Sequence, residues 1–204
     1  MNKRLILVPL MVLAAISAGP LPTRAAQQAL TFDPDASEVG FDLEATGENV
    51  HGLFHLQSGE IVFDTETGAA SGEVVVEAFG AETGNKKRDK KMHSKVLESE
   101  RHPLIVFRPE SIEGDLAPEG ESEILLHGTM ELLGSEHPVT MTAAVEVHGD
   151  HLTATTTLDV PFIEWGLHDP SFLILKVAKI VNVGITAEGT LETVGGDALA
   201  STGR

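Results

Sequence analysis

Nine histidines, 31 acidic and 14 basic side chains hold most of the chemistry open to this 204-residue chain. Cysteine is absent. That excludes thiolate metal sites, cysteine nucleophiles and a disulfide framework. His51 and His55 stand four apart in a stretch that alternates like a strand. They would share a face but lie about 13 Å apart, too far for one metal. His148 and His151 flank Gly149-Asp150, a turn where polar residues belong in any case. His93 and His102 bracket a charged segment and could meet in space, so a His-dependent metal site stays open as a minor alternative. No HExxH helix, GxSxG elbow, P-loop or dinucleotide fingerprint occurs. The expectation is a protein that is not an enzyme, with no cofactor and no resident metal.

Arg88 and Asp89 form the other constellation. They lie in Gly84 to Arg101, a stretch rich in charge and poor in β-branched residues. Asn85 is suited to cap a helix there, and Met92, Val96 and Leu97 fall on one helical stripe. The spacing predicts a helix of two or three turns, packed on one end of a larger structure. Neighbouring helical residues point about 100° apart, so Arg88 and Asp89 must find partners elsewhere. Two roles are open to the pair: a lock that fixes the helix, or a polar contact for a ligand headgroup. A charge run is also commonly just a wet helix face.

The elements that must hold this helix are strands. From Leu30 to Glu192 the dominant signal is period-two alternation. Val39, Phe41 and Leu43 alternate with polar residues and glycine. Gly52, Phe54 and Leu56 follow, then Ile61 and Phe63, then Val74, Val76 and Ala78, then Ile105 and Phe107. In the second half the series are Leu126 to Leu132, Val139 to Val147, Leu152 to Leu158, and Val181 to Ala187. Turn chemistry punctuates them at Asp64 to Gly72, Gly134 to Pro138 and Gly149-Asp150. Many short strands with one apolar face indicate an all-β antiparallel sandwich or barrel. Closure into a barrel would also remove exposed edges.

The N-terminus reads as an export signal. Lys3 and Arg4 precede an uncharged apolar run from Leu5 to Ala18, and Ala25 follows Thr23 at small-residue spacing. The run is about 14 residues, short of the roughly 20 that a membrane span needs. Residues 1–26 are therefore expected to be a cleaved signal peptide, with an uncleaved anchor as the alternative. Residues 27–194 would form one domain, and 195–204 a flexible tail. Beyond residue 26 the chain carries 11 cations against 31 acids, a net charge of −20. Such a surface repels nucleic acid and anionic headgroups, so neither nucleic-acid binding nor stable membrane anchoring is expected. The location expected is periplasmic or secreted.

Several segments resemble the YceI-like, polyisoprenoid-binding domain. These are Gly52-Leu53-Phe54, Gly59 to Asp64, Thr83-Gly84-Asn85, Arg88-Asp89, His102 to Phe107, Gly128 to Leu132 with Pro138-Val139, and Glu164 to Leu167 with Asp169-Pro170-Ser171. The family often has Phe-Phe or Phe-Asp after its helix, where this chain has Val96-Leu97-Glu98. The resemblance spans about Leu30 to Glu192. It implies an extended eight-stranded lipocalin-like barrel with one short inserted helix, holding an isoprenoid-type or other long apolar lipid in its interior. The residues that would line the ligand are Phe41, Phe54, Ile61, Phe63, Val74, Val76, Ile105, Phe107, Leu126, Met130, Met141, Leu158 and Trp165. Asn85, Arg88 and Asp89 would be structural or meet a headgroup. Gly128, Ala143 and Ala154 are small enough to leave room. Trp165 would either cover the barrel mouth or pack under a loop. The competing reading is a filled barrel, an acidic interaction module without a lipid; a homodimer is compatible with either.

Overall fold

The computed structural model describes residues 27–171 and 176–194. The proposed signal segment and tail lie outside the described residues. The strands are β1 (Gln27–Phe32), β2 (Glu38–Leu43), β3 (Val50–Asp64), β4 (Ala70–Glu82), β5 (Leu104–Glu113), β6 (Gly120–Leu132), β7 (Ser135–His148), β8 (His151–Val160) and β9 (Val181–Val194). Between β4 and β5 lies α1 (Lys86–Lys91), which runs on into a π turn at Met92–Val96.

The nine strands make eight staves. β1 pairs β3 and β9 at one end of the barrel, Leu30 opposite Ile61 and Leu191. β2 pairs the same two strands at the other end, Phe41 opposite Gly52 and Val183. The two are halves of one stave, broken at Asp33 to Ser37, where Ser37 N–H returns to Asp33 O at 3.1 Å. Every other strand pairs antiparallel with its sequence neighbours, and β9 closes the ring. The result is an up-and-down barrel of eight staves with no unpaired edge among the described residues.

Period-two alternation sets the strand faces. Val139, Met141, Ala143, Val145 and Val147 are all buried, and the residues between them are exposed. A one-residue slip would invert that face, so register is firmly fixed. The β6–β7 turn is Leu133-Gly134, both at positive φ, which suits a two-residue hairpin loop. The turn expected across Gly134 to Pro138 is therefore shorter, and Ser135 already belongs to β7. Gly149-Asp150 turns β7 into β8, with Gly149 at φ 65°.

Two clusters fill the barrel at different depths. Phe32, Phe63, Ile124, Val145, Val147 and Leu152 plug the end where β3 meets β4. Leu97, Leu132, Val139, Val160, Phe162 and Leu167 gather at the opposite end, beneath α1 and the loop after β8. Between them lies a cavity.

Candidate functional site

The depth of the barrel can be followed along β6. Ile124 is in the plug, Leu126 packs on it from above, and Met130 and Leu132 rise toward the far rim. From Leu126 upward a cavity of about 860 Å³ opens. Ile61, Val74, Val76 and Leu126 belong both to the cavity lining and to the residues around the plug, so they form its floor. Phe41, Phe54, Ile105, Phe107, Met130, Met141 and Leu158 form its walls, together with Val181, Val183 and Ile185. The rings of Phe41 and Phe54 sit 5.1 Å apart, tilted by 49°. Thr156 is a rare polar group on this wall.

A helical lid covers the mouth. Asn85 caps α1 by accepting from the backbone N–H of Lys87 and Arg88. The π turn that follows is closed by Leu97 N–H donating to Met92 O at 2.9 Å. Met92, Val96 and Leu97 thereby all reach the cavity. So short a helix would not persist alone. It is held at Thr83, just beyond β4. Arg88 donates from Nε to Thr83 Oγ1 at 2.8 Å and from Nη2 to Thr83 O at 3.0 Å. Asp89 Oδ1 accepts from Thr83 N at 3.0 Å and from the Thr83 hydroxyl. Thr83 Oγ1 thus accepts from the cation and donates to the anion. Lys91 Nζ adds a bond to Pro170 O at 3.0 Å on the opposite rim.

That opposite rim extends the barrel wall. Thr46 N–H donates to Lys176 O and Ala178 N–H to Glu44 O, both at 2.8 Å. Ala45 and Val177 therefore bridge beyond the end of β2. Beside them, the Ser171 hydroxyl and backbone N–H bond to Asp169 and hold its carboxyl below the usual range.

Of the residues singled out in the sequence, Phe41, Phe54, Ile61, Val74, Val76, Ile105, Phe107, Leu126, Met130, Met141 and Leu158 line the cavity, as do Asn85 and Arg88. Phe63 does not. It points inward but lies in the plug, 5% exposed, below the floor. Trp165 is also not in the lining. Its indole stacks on His137 at 4.2 Å, with 4° between the rings, and packs into the rim cluster from a Pro161-bounded turn. Asp89 faces Thr83 instead of the cavity. Gly128 leaves no ligand space: a Cβ there would lie 2.7 Å from Phe107 Cε2, so the Phe107 ring occupies that position. His93 bonds Ser99 at 3.1 Å. Among the described residues no three His, Asp or Glu side chains gather as a metal site.

Sequence reasoning missed Phe162 and Leu167, which lie in an aperiodic loop, and Lys87 and Lys91, which reach the cavity mouth. The i, i+4 spacing of the two lysines was the available signal.

An eight-stave antiparallel barrel with an apolar shaft under a helical lid defines the lipocalin-like class. The sequence matches the YceI-like domain over residues 30–189, and the chain belongs to that family. Three solved structures are similar to it. A polyisoprenoid-binding domain from Saccharophagus degradans, implicated in plant cell wall breakdown, is 15% identical, with a TM-score of 0.65; the match covers 83% of this chain and 100% of that one. BcnA from Burkholderia cenocepacia is 16% identical, with a TM-score of 0.63, covering 77% and 98%. A YceI protein from Campylobacter jejuni is 16% identical, with a TM-score of 0.56, covering 70% and 85%. At these identities the likeness establishes the fold. No curated protein matches the chain.

Proposed function

We propose that this protein is a non-catalytic carrier that holds an isoprenoid-type or other long apolar chain in its barrel, outside the cytoplasm. The observation that carries this reading is the 860 Å³ shaft of aliphatic and Phe side chains between plug and lid. Each methylene moved there from water gains about 0.8 kcal/mol, so a long chain needs no specific polar contact. The volume falls within the few hundred to one thousand Å³ common for small-molecule sites. Met130 and Met141 on the wall can adapt to an irregular chain. The solved polyisoprenoid-binding domain of the same fold supports an isoprenoid as the ligand class.

The cavity-lining residues named above would contact the tail. Residues 1–26 would direct export and be removed near Ala25. Among the described residues no helix is long and apolar enough to cross a membrane.

Titration with the apolar fluorophore N-phenyl-1-naphthylamine tests the reading. Saturation at one probe per chain, reversed by geranylgeraniol, is the expected result. No fluorescence gain, or a gain that geranylgeraniol does not reverse, would overturn it in favour of a barrel that takes no lipid.

A further inference from the structure

Cations are scarce in residues 27–204, with 11 against 31 acids, yet six of the 11 fall between Lys86 and Lys95. The lid sorts them. Lys87, Arg88 and Lys91 line the cavity mouth, whereas Lys86, Lys90 and Lys95 do not. Arg88 is committed to Thr83, the residue that also holds Asp89. The two lysines are not neutralised in this way. The Lys87 backbone N–H donates to Asn85 Oδ1, but its ammonium has no hydrogen bond or ion pair among the described residues. Lys91 spends one of its three donors on Pro170 O. Being four apart, they share a helix face, an arrangement that costs a few tenths of a kcal/mol when like charges meet. Among the described residues Glu48, on the facing rim, is the one carboxylate in the cavity lining.

We propose that Lys87 and Lys91 form a headgroup subsite, and that the lipid carried is an amphiphile with an anionic head, a phosphate or carboxylate, at the end of its apolar chain. This rests on the carrier reading of the same cavity. The tail would fill the shaft, and the head would lie at the mouth under the two ammonium groups. Both lysines are exposed, so the head keeps part of its water and its desolvation cost stays small. Long stems let the amines follow heads of different shape. Arg88, held by Thr83, sets the lid and does not read the head.

The test compares geranylgeranyl phosphate with geranylgeraniol, which share a chain and differ in the head. Binding of the phosphate about tenfold tighter at low salt is expected, with the ratio shrinking as salt rises. In the double variant Lys87→Gln/Lys91→Gln the ratio should fall toward one. Lys86→Gln/Lys90→Gln removes the same charge from the lid outside the cavity lining and should keep the ratio. Inorganic phosphate alone should not bind at the concentrations that saturate with lipid. Equal affinity for the two lipids, or an equal loss of the ratio in both double variants, overturns the subsite and leaves the carrier standing. Inorganic phosphate binding as tightly as the lipid phosphate overturns the lipid-borne head in favour of a free-anion site. If neither lipid binds, the carrier reading fails and the subsite with it.

Discussion

The ring of Phe41 occupies the space over Gly52, its cross-strand partner: a Cβ on Gly52 would overlap Phe41 Cζ and lie 2.8 Å from Glu82 O. The same device recurs on that stave, where a Cβ on Gly59 would fall 2.6 Å from Phe32 Cδ2. Glycines on β3 thus seat phenylalanines that would otherwise stand in the barrel bore. Gly52→Ala should push the Phe41 ring into the cavity and cost about 1–3 kcal/mol through overpacking. Chemical denaturation would show the loss, and binding of a chain-length series would shift toward shorter lipids. Unchanged stability and chain-length preference would mean that Phe41 does not depend on Gly52.

Depth separates two phenylalanines that alternation treats alike. Phe63→Ala empties the plug and should cost about 3–5 kcal/mol, the range for deleting a buried aromatic. Phe54→Ala, on the half-open wall, should cost less stability but change lipid affinity more. Paired unfolding and lipid-binding measurements check this. The reverse ranking would contradict the division into plug and cavity.

Thr83 ties the lid to β4 through both Arg88 and Asp89. Thr83→Val removes the shared hydroxyl and should cost about 1–3 kcal/mol. Because the three groups act as a unit, Thr83→Val and Asp89→Ala should combine less than additively in a double-mutant cycle. Strict additivity would show that the clamp is not shared. Lipid dissociation should quicken in each variant, whatever the headgroup.

The plugged end carries an acid-sensitive turn. Asp64 Oδ1 accepts from Thr67 N at 2.8 Å and Glu66 N at 2.9 Å. The Thr67 backbone bond comes first among the causes that hold its carboxyl below the ordinary value of 3.8. A depressed folded-state pKa contributes stability above the unfolded value, lost as pH falls through the folded one. The stability gap between wild type and Asp64→Asn should therefore be level above about pH 5 and narrow below about pH 4. Thermal melts across that range would show it. A gap that widens in acid would contradict the assignment.

Strand phase was legible in the sequence because one buried face forces strict alternation, and the inward sets of β6 and β7 lie where the pattern puts them. Alternation carries no depth, however, so Phe63 could not be told from Phe54. Composition suggested that Gly128 leaves a void, but a cross-strand ring fills it. The break between β1 and β2 adds a strand without adding a stave, since both halves pair β3 and β9. Trp165 lies in a loop with no period to orient it. Arg88 and Asp89 were identifiable as needing outside partners; that one threonine serves both is a tertiary fact. The sequence offers the lysines as a wet helix face; that Lys87 and Lys91 border the cavity depends on how the helix sits on the barrel.

The claim that this barrel carries a lipid is tested most directly by denaturing the protein as purified from its own source and identifying by mass spectrometry what it releases. One long-chain lipid per chain, at near-full occupancy, is the predicted result, and the cavity-lining substitutions above should reduce it. A protein that releases nothing, and whose native mass equals that of the bare polypeptide, would contradict the account.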